Sequence, residues 1–177
     1  MIIFEKIRWK NFLSSGNTFL ETNLNDNSTT LIVGHNGAGK STILDALCFA
    51  LFNKPFREIK KDQLINSINL GGTEVELEFT ISSNHYRIRR GIKPNIFEIY
   101  LNGELLNQDA TIADYQKQLE QQILKFNYRS FTQVVILGAS TFVPFMELKT
   151  AHRREIIEDI LDIKVFSVMS MLTKVRI

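Results

Sequence analysis

Gly34-His-Asn-Gly-Ala-Gly-Lys-Ser41 is the stretch of this chain whose residue types and spacing can do chemistry. Glycine at 34 and 39, with Lys40 and Ser41 directly after, is the spacing of a Walker A phosphate-binding loop. Glycines let the backbone wrap closely around an anion, where a Cβ would clash. Backbone N–H groups and the positive end of a following helix hold that anion. Lys40 offers a point charge to the β- and γ-phosphates, and the Ser41 hydroxyl offers a ligand to magnesium. The implied ligand is a nucleoside triphosphate, ATP with Mg2+.

Such a loop works only between a strand and a helix. Residues 29–34 are a β-branched run ending in glycine and predict a buried strand. Ile43, Leu44, Leu47, Ala50 and Leu51 keep helical spacing and predict a helix over 39–53, stopped by Pro55. Ahead of them, 1–9 and 18–24 read as strands around a polar loop at 11–16. Behind them, Val75, Leu77, Phe79 and Ile81 alternate with Glu74, Glu76 and Glu78, predicting one dry side and one acidic, solvent-facing side. Strands over 86–91 and 96–101 follow, the latter closed by the hairpin signal Asn102-Gly103. Thr111 caps a predicted helix to about Phe126, and 131–137 reads as a second buried strand. Thr150 caps another helix, with Ile156, Ile157, Ile160 and Leu161 expected inward. Residues 165–175 continue helical and stop at Ile177 as if cut there.

At 177 residues, 44% hydrophobic and 23% charged, the chain has the length and composition of one globular domain. Its net charge of +2 does not by itself call for a nucleic-acid partner. Basic residues do cluster at Lys54, Arg57, Lys60 and Lys61, and again at Arg87, Arg89, Arg90 and Lys93. Solvated faces are the first reading of both clusters and DNA contact the second. The single cysteine, Cys48, excludes an internal disulfide. No apolar run approaches the ~18 residues that span a bilayer, and no signal peptide opens the chain, so a soluble cytoplasmic protein is expected. A Walker B strand, several apolar residues ending in an acid, is missing: 134–137 runs into Gly138. Leu70-Gly71-Gly72-Thr73 leads into an alternating strand and reads as a loop. His35 reads as a variable position of the loop without a catalytic role, His85 and His152 as solvated, and Trp9 as packing on the sheet.

Lys10-Asn11-Phe12, with the phosphate loop and the Ser-Thr-Ile-Leu-Asp-Ala-Leu47 that extends it, resembles the SMC-like ABC ATPases that partner a double-strand-break-repair nuclease. Residues 54–67, Lys93-Pro94-Asn95 and Phe142-Val-Pro-Phe145 are similar to the tailed-phage branch of that family, the recombination endonuclease large subunits. The resemblance implies an α/β P-loop NTPase fold of ABC type, with a mixed sheet core, an antiparallel β subdomain and the start of a helical lobe. Residues 1–163 would be the N-terminal half of an ATPase head, and 164–177 the first turns of a coiled-coil helix. A C-terminal half would bring Walker B and the signature motif. A second head would close an ATP-dependent dimer, and a repair nuclease subunit and duplex DNA would bind the assembly. In phage, that assembly would work in the host cytoplasm.

Carried over by motif, Asn36, Gly37, Ala38, Gly39, Lys40, Ser41 and Thr42 match the triphosphate loop, with Ser41 on the metal. Ile65, Asn66 and Ser67 match the base and ribose side. Two positions depart from the family. Leu13, followed by Ser14 and Ser15, stands where relatives often have an arginine near the γ-phosphate. Thr141 stands at the position of the Q-loop glutamine. With no other catalytic residue in this half, the ATPase is expected to be inactive as this fragment alone. A chromosome-type SMC head or an independent small P-loop NTPase or kinase would share the loop.

Overall fold

The alternating segments build a six-stranded antiparallel sheet in the order β2-β1-β3-β4-β5-β6. A computed structural model describes residues 1–106, 111–136, 144–161 and 163–175. β1 is Ile2–Lys10, β2 Leu20–Asn23, β3 Thr73–Ile81, β4 Asn84–Ile92, β5 Ile96–Leu101 and β6 Glu104–Leu105. Ile7 faces Leu77, Leu77 faces Ile88, and Ile88 faces Ile99, so one apolar row crosses four strands. All four side chains are fully buried. Asn102 and Gly103 both take positive φ, as the tight hairpin between β5 and β6 requires.

Helix α1, Thr42–Phe52, lies against β1, β3 and β4. Ala46, Cys48, Phe49, Ala50 and Leu51 are completely inaccessible, and burial pushes the Cys48 thiol well above its ordinary range. The helix ends at Asn53, which takes the left-handed conformation two residues before Pro55.

The second side of the sheet corrects the sequence reading. Glu74 and Glu76 do not face solvent: both are 6% exposed. The register sets Lys10 beside Glu74, and Arg8 and Arg89 beside Glu76, so basic residues of the flanking strands close over the acids. Arg8 Nε donates to Glu76 Oε2 at 2.8 Å, Lys10 Nζ lies 3.1 Å from Glu74 Oε2, and Arg89 bonds both Glu74 and Glu98. Burial alone would raise the Glu74 carboxyl, but hydrogen bonds from Arg89 and Lys10 outweigh it and hold it below its ordinary value. Nor is Arg90 part of a solvated basic face. It is 2% exposed, donates from Nε to Ala50 O at 2.9 Å and lies 3.7 Å from the Phe97 ring centroid.

Residues 29–34 form no strand. Leu31, Ile32 and Val33 are 84, 49 and 77% exposed and join no ladder among the described residues. β-propensity alone does not make a strand when no partner supplies hydrogen bonds. Residues 131–136 are not a strand either, and Leu137 lies outside the described residues. Helix α2, Ile112–Gln118, continues through a π-helical turn at Leu119–Leu124, and α3 spans Tyr128–Val134. The Asn127 side chain accepts from Ser130 N at 3.0 Å, a cap that starts α3 where the apolar run alone read as β.

Helix α4 is Thr150–Ile160 and α5 is Lys164–Val175. Thr150 is the first helical residue of α4, not its cap, which is Lys149. Of the four residues expected inward, only Ile156 is buried; Ile157, Ile160 and Leu161 are exposed, as are Phe166, Met169 and Leu172 of α5. α3 and α4 are joined by polar bonds, Asn127 and Arg129 to Glu155 and Ser130 to Asp159. The chain divides into two compact units, Met1–Tyr115 and Gln116–Ile177. Among the described residues, no helix is long and apolar enough to cross a membrane.

Candidate functional site

The phosphate loop lies in the first unit, between the exposed segment 31–33 and the start of α1. Gly37 and Gly39 sit at φ +85° and +89°, where a side chain is strained. A Cβ on Gly34 would come within 3.3 Å of the Ala38 Cβ, so the loop closes on itself there. Ala38 N donates to His35 O at 3.1 Å and Thr42 N to Gly39 O at 2.9 Å. Lys40 Nζ reaches back over the loop to Gly34 O at 2.7 Å and His35 O at 2.8 Å. Its charge therefore stands over the loop's own backbone. Ser41 is the exposed cap residue of α1, and its hydroxyl makes no capping bond.

A cavity of about 570 Å³ opens beside the loop, a size suited to a small-molecule ligand. Asn36, Gly37, Gly39, Lys40, Ser41 and Thr42 form one part of its lining, and Leu13, Ser14, Arg57, Gln63, Ile65 and Ser67 the rest. The loop's donors and the cavity's size thus fit a phosphorylated nucleoside. Eight of the ten residues expected at the ligand are in that lining. Ala38 instead lines a smaller hollow of about 190 Å³ behind the loop, with Trp9, Ile32, Val33 and Ile43. Asn66 is 5% exposed, and its amide is bonded to neighbouring backbone instead of facing the cavity. Trp9 packs on the sheet as expected, and its indole N–H is buried with no hydrogen-bond acceptor among the described residues.

Residues 6–168 match the family described as AAA domain. The chain belongs to that family. Within the AAA domain family it is similar to Exonuclease subunit 2 of Enterobacteria phage T4, 44% identical over 172 residues, 97% of this chain and 30% of the relative. It is also similar to the DNA double-strand break repair Rad50 ATPase of Thermoplasma volcanium, 30% identical over 92% of this chain and 18% of that protein. A structure from "Structural biochemistry of ATP-driven dimerization and DNA stimulated activation of SMC ATPases" superposes with a TM-score of 0.59 at 26% identity. That match covers 89% of this chain and 99% of the other. The family match and these likenesses give the chain a P-loop α/β fold, and the relatives are of the SMC-like and double-strand-break-repair kind that its motifs resemble. The chain spans less than a third of the length of the phage relative.

Asp45 was visible in the sequence only as one letter of an extended motif; the structure gives it a physical role in this AAA domain. It lies inside α1 with no exposed surface, and a carboxylate there must be paired. Its Oδ2 takes Arg57 Nε at 2.7 Å, and its Oδ1 accepts from the Phe56 and Arg57 amides at 3.1 and 3.0 Å. The helix that follows the phosphate loop therefore also fixes Arg57 at the cavity wall. An acid placed among buried helix positions, with an arginine just past the helix end, was the signal available. Thr141, expected at the Q-loop position, lies outside the described residues.

Proposed function

We propose that this chain is the ATP-binding N-terminal half of an SMC-like ATPase head that acts in DNA double-strand-break repair and recombination. The observation that carries the reading is the glycine loop, with Lys40 and Ser41, opening on a cavity of nucleotide size. Lys40 would leave its carbonyl partners for the β- and γ-phosphates, and backbone amides of 37–42 would hold the phosphate oxygens. The Ser41 hydroxyl would hold Mg2+, which neutralises phosphate charge. Ile65 and Ser67 would border the base and ribose.

On this reading a C-terminal half supplies the acid that this half lacks, and its strands take up the exposed face of residues 31–33. A second head, a nuclease subunit and duplex DNA complete the assembly, which works in the cytoplasm. The 44% identity to the phage protein favours the repair branch over a chromosome-type SMC head. Calorimetry with ATP and Mg2+ tests the site: Lys40→Ala abolishes binding if Lys40 holds the phosphates, and equal affinity refutes the assignment. Turnover stays at background for this chain and rises when the C-terminal half is added. Turnover of about 1–10 per second by this chain alone would overturn the division of labour.

A further inference from the structure

Asn66 was expected to touch the ligand, yet every hydrogen-bonding position of its side-chain amide is taken by the protein. Nδ2 donates to Leu13 O and to Ser15 O, each at 3.0 Å. Oδ1 accepts from Ile68 N at 2.9 Å and Asn69 N at 3.0 Å. Two donors and two acceptors are the main capacity of the group, so little remains for a ligand. Its backbone N–H also donates to Asn11 O at 3.0 Å, and Phe12 pairs with Ile65 in an isolated bridge.

These bonds join two loops that are far apart in sequence and that both contribute to the cavity lining, one through Leu13 and Ser14 and the other through Ile65 and Ser67. The first wall is under strain. Leu13 holds φ +55°, a conformation costly for a branched side chain that persists only where neighbours enforce it. Leu13 N donates to Leu64 O at 2.7 Å, and Asn66 takes up the Leu13 carbonyl. The strained residue is thus gripped at both ends by the adjoining segment 64–66, which continues into the lining at Ile65 and Ser67. A second bond, from Asn69 Nδ2 to Asn11 Oδ1 at 2.6 Å, ties the same pair of loops.

We propose that Asn66 is a positioning residue: bonded to Leu13 and Ser15, it fixes the spacing of the cavity walls beyond the phosphate loop and so selects a nucleoside triphosphate over a bare polyphosphate. This rests on the nucleotide-binding reading above. The phosphate loop contains none of these bonds, and Leu13 brings no charge to the position where relatives often have an arginine, so the affinity for phosphates alone should depend little on Asn66.

The test titrates the chain with ATP and, separately, with inorganic tripolyphosphate, each with Mg2+. Asn66→Asp keeps both acceptors but sets a carboxylate against the Leu13 and Ser15 carbonyls. ATP affinity should fall about tenfold while tripolyphosphate affinity stays within about twofold, because misplacing a wall by a fraction of an ångström removes only the nucleoside contacts. Lowering the pH protonates the introduced carboxyl and restores one donor. The variant's ATP affinity relative to wild type at the same pH should then partly recover while its tripolyphosphate affinity stays level, whereas a general loss and regain of folding would move both ligands together. Asn66→Ser, which keeps one hydroxyl donor, should fall between the two. Proportional loss of both ligands in both variants, or an unchanged preference for ATP, overturns the inference alone. A wild-type chain that binds ATP no better than tripolyphosphate overturns the nucleoside reading of these walls together with it.

Discussion

Val75, Leu77 and Phe79 of β3 and Leu31, Ile32 and Val33 before the phosphate loop are runs of the same apolar kind. The first three are completely buried, whereas the others are 84, 49 and 77% exposed. β3 has β1 on one side and β4 on the other, both within reach of short connections or a long return. Residues 31–33 have no such neighbours among the described residues. The loop that follows them nevertheless takes its shape, because glycines at positive φ and a lysine folded onto two carbonyls are local features. The phosphate site is encoded within a dozen residues, and its seat in a sheet depends on strands from elsewhere.

That contrast can be broken or sharpened by substitution. Leu77→Ala empties a site flanked on both sides and should cost about 3–4 kcal/mol in urea unfolding. Asp45→Asn leaves Arg57 without its carboxylate at a half-exposed position and should cost roughly 2–3 kcal/mol. It should also weaken ATP binding in calorimetry, since Arg57 then leaves the cavity wall. Glu74→Gln should cost about 1–2 kcal/mol, less than a fully buried pair because Lys10 and Arg89 stay partly in water. Its pH dependence has a definite sign. The folded carboxyl sits below its ordinary value, so its stabilisation is complete above about pH 4.3 and is lost as pH falls through the lowered folded value. In Glu74→Gln that part of the acid limb should vanish from the stability profile. Val33→Ala should change the stability of this chain by less than about 0.5 kcal/mol. A cost above about 1 kcal/mol would mean that the segment already has a packed partner.

The meander from β3 to β5 and the turn that closes it were legible because alternation and Asn102-Gly103 are short-range signals. The helix after the loop was legible from its apolar spacing. What failed to show was long-range. Alternation placed Glu74 and Glu76 on one side of a strand, but could not tell that Arg8 and Lys10, over sixty residues earlier, would lie across from them. Residues 131–136 misled because a short apolar run fits a strand and a buried helix equally. Asn127, four residues upstream, decided it. At the site, eight residues of the cavity lining were named as ligand contacts, whereas the groups that hold the lining in place, Asp45 and the amide of Asn66, were not singled out. Hydrogen bonds between loops fifty residues apart leave no periodic trace in a sequence.

Trp9, the only tryptophan of the chain, has a spectroscopic consequence. Its indole is 7% exposed and shares a hollow with Ala38, Gly39 and Lys40, the back of the phosphate loop. An indole shielded from water emits toward the blue, and its emission shifts when nearby backbone dipoles turn or water enters. Since no second tryptophan contributes background, the intrinsic fluorescence of the unlabelled chain is a direct optical gauge of how that loop rearranges.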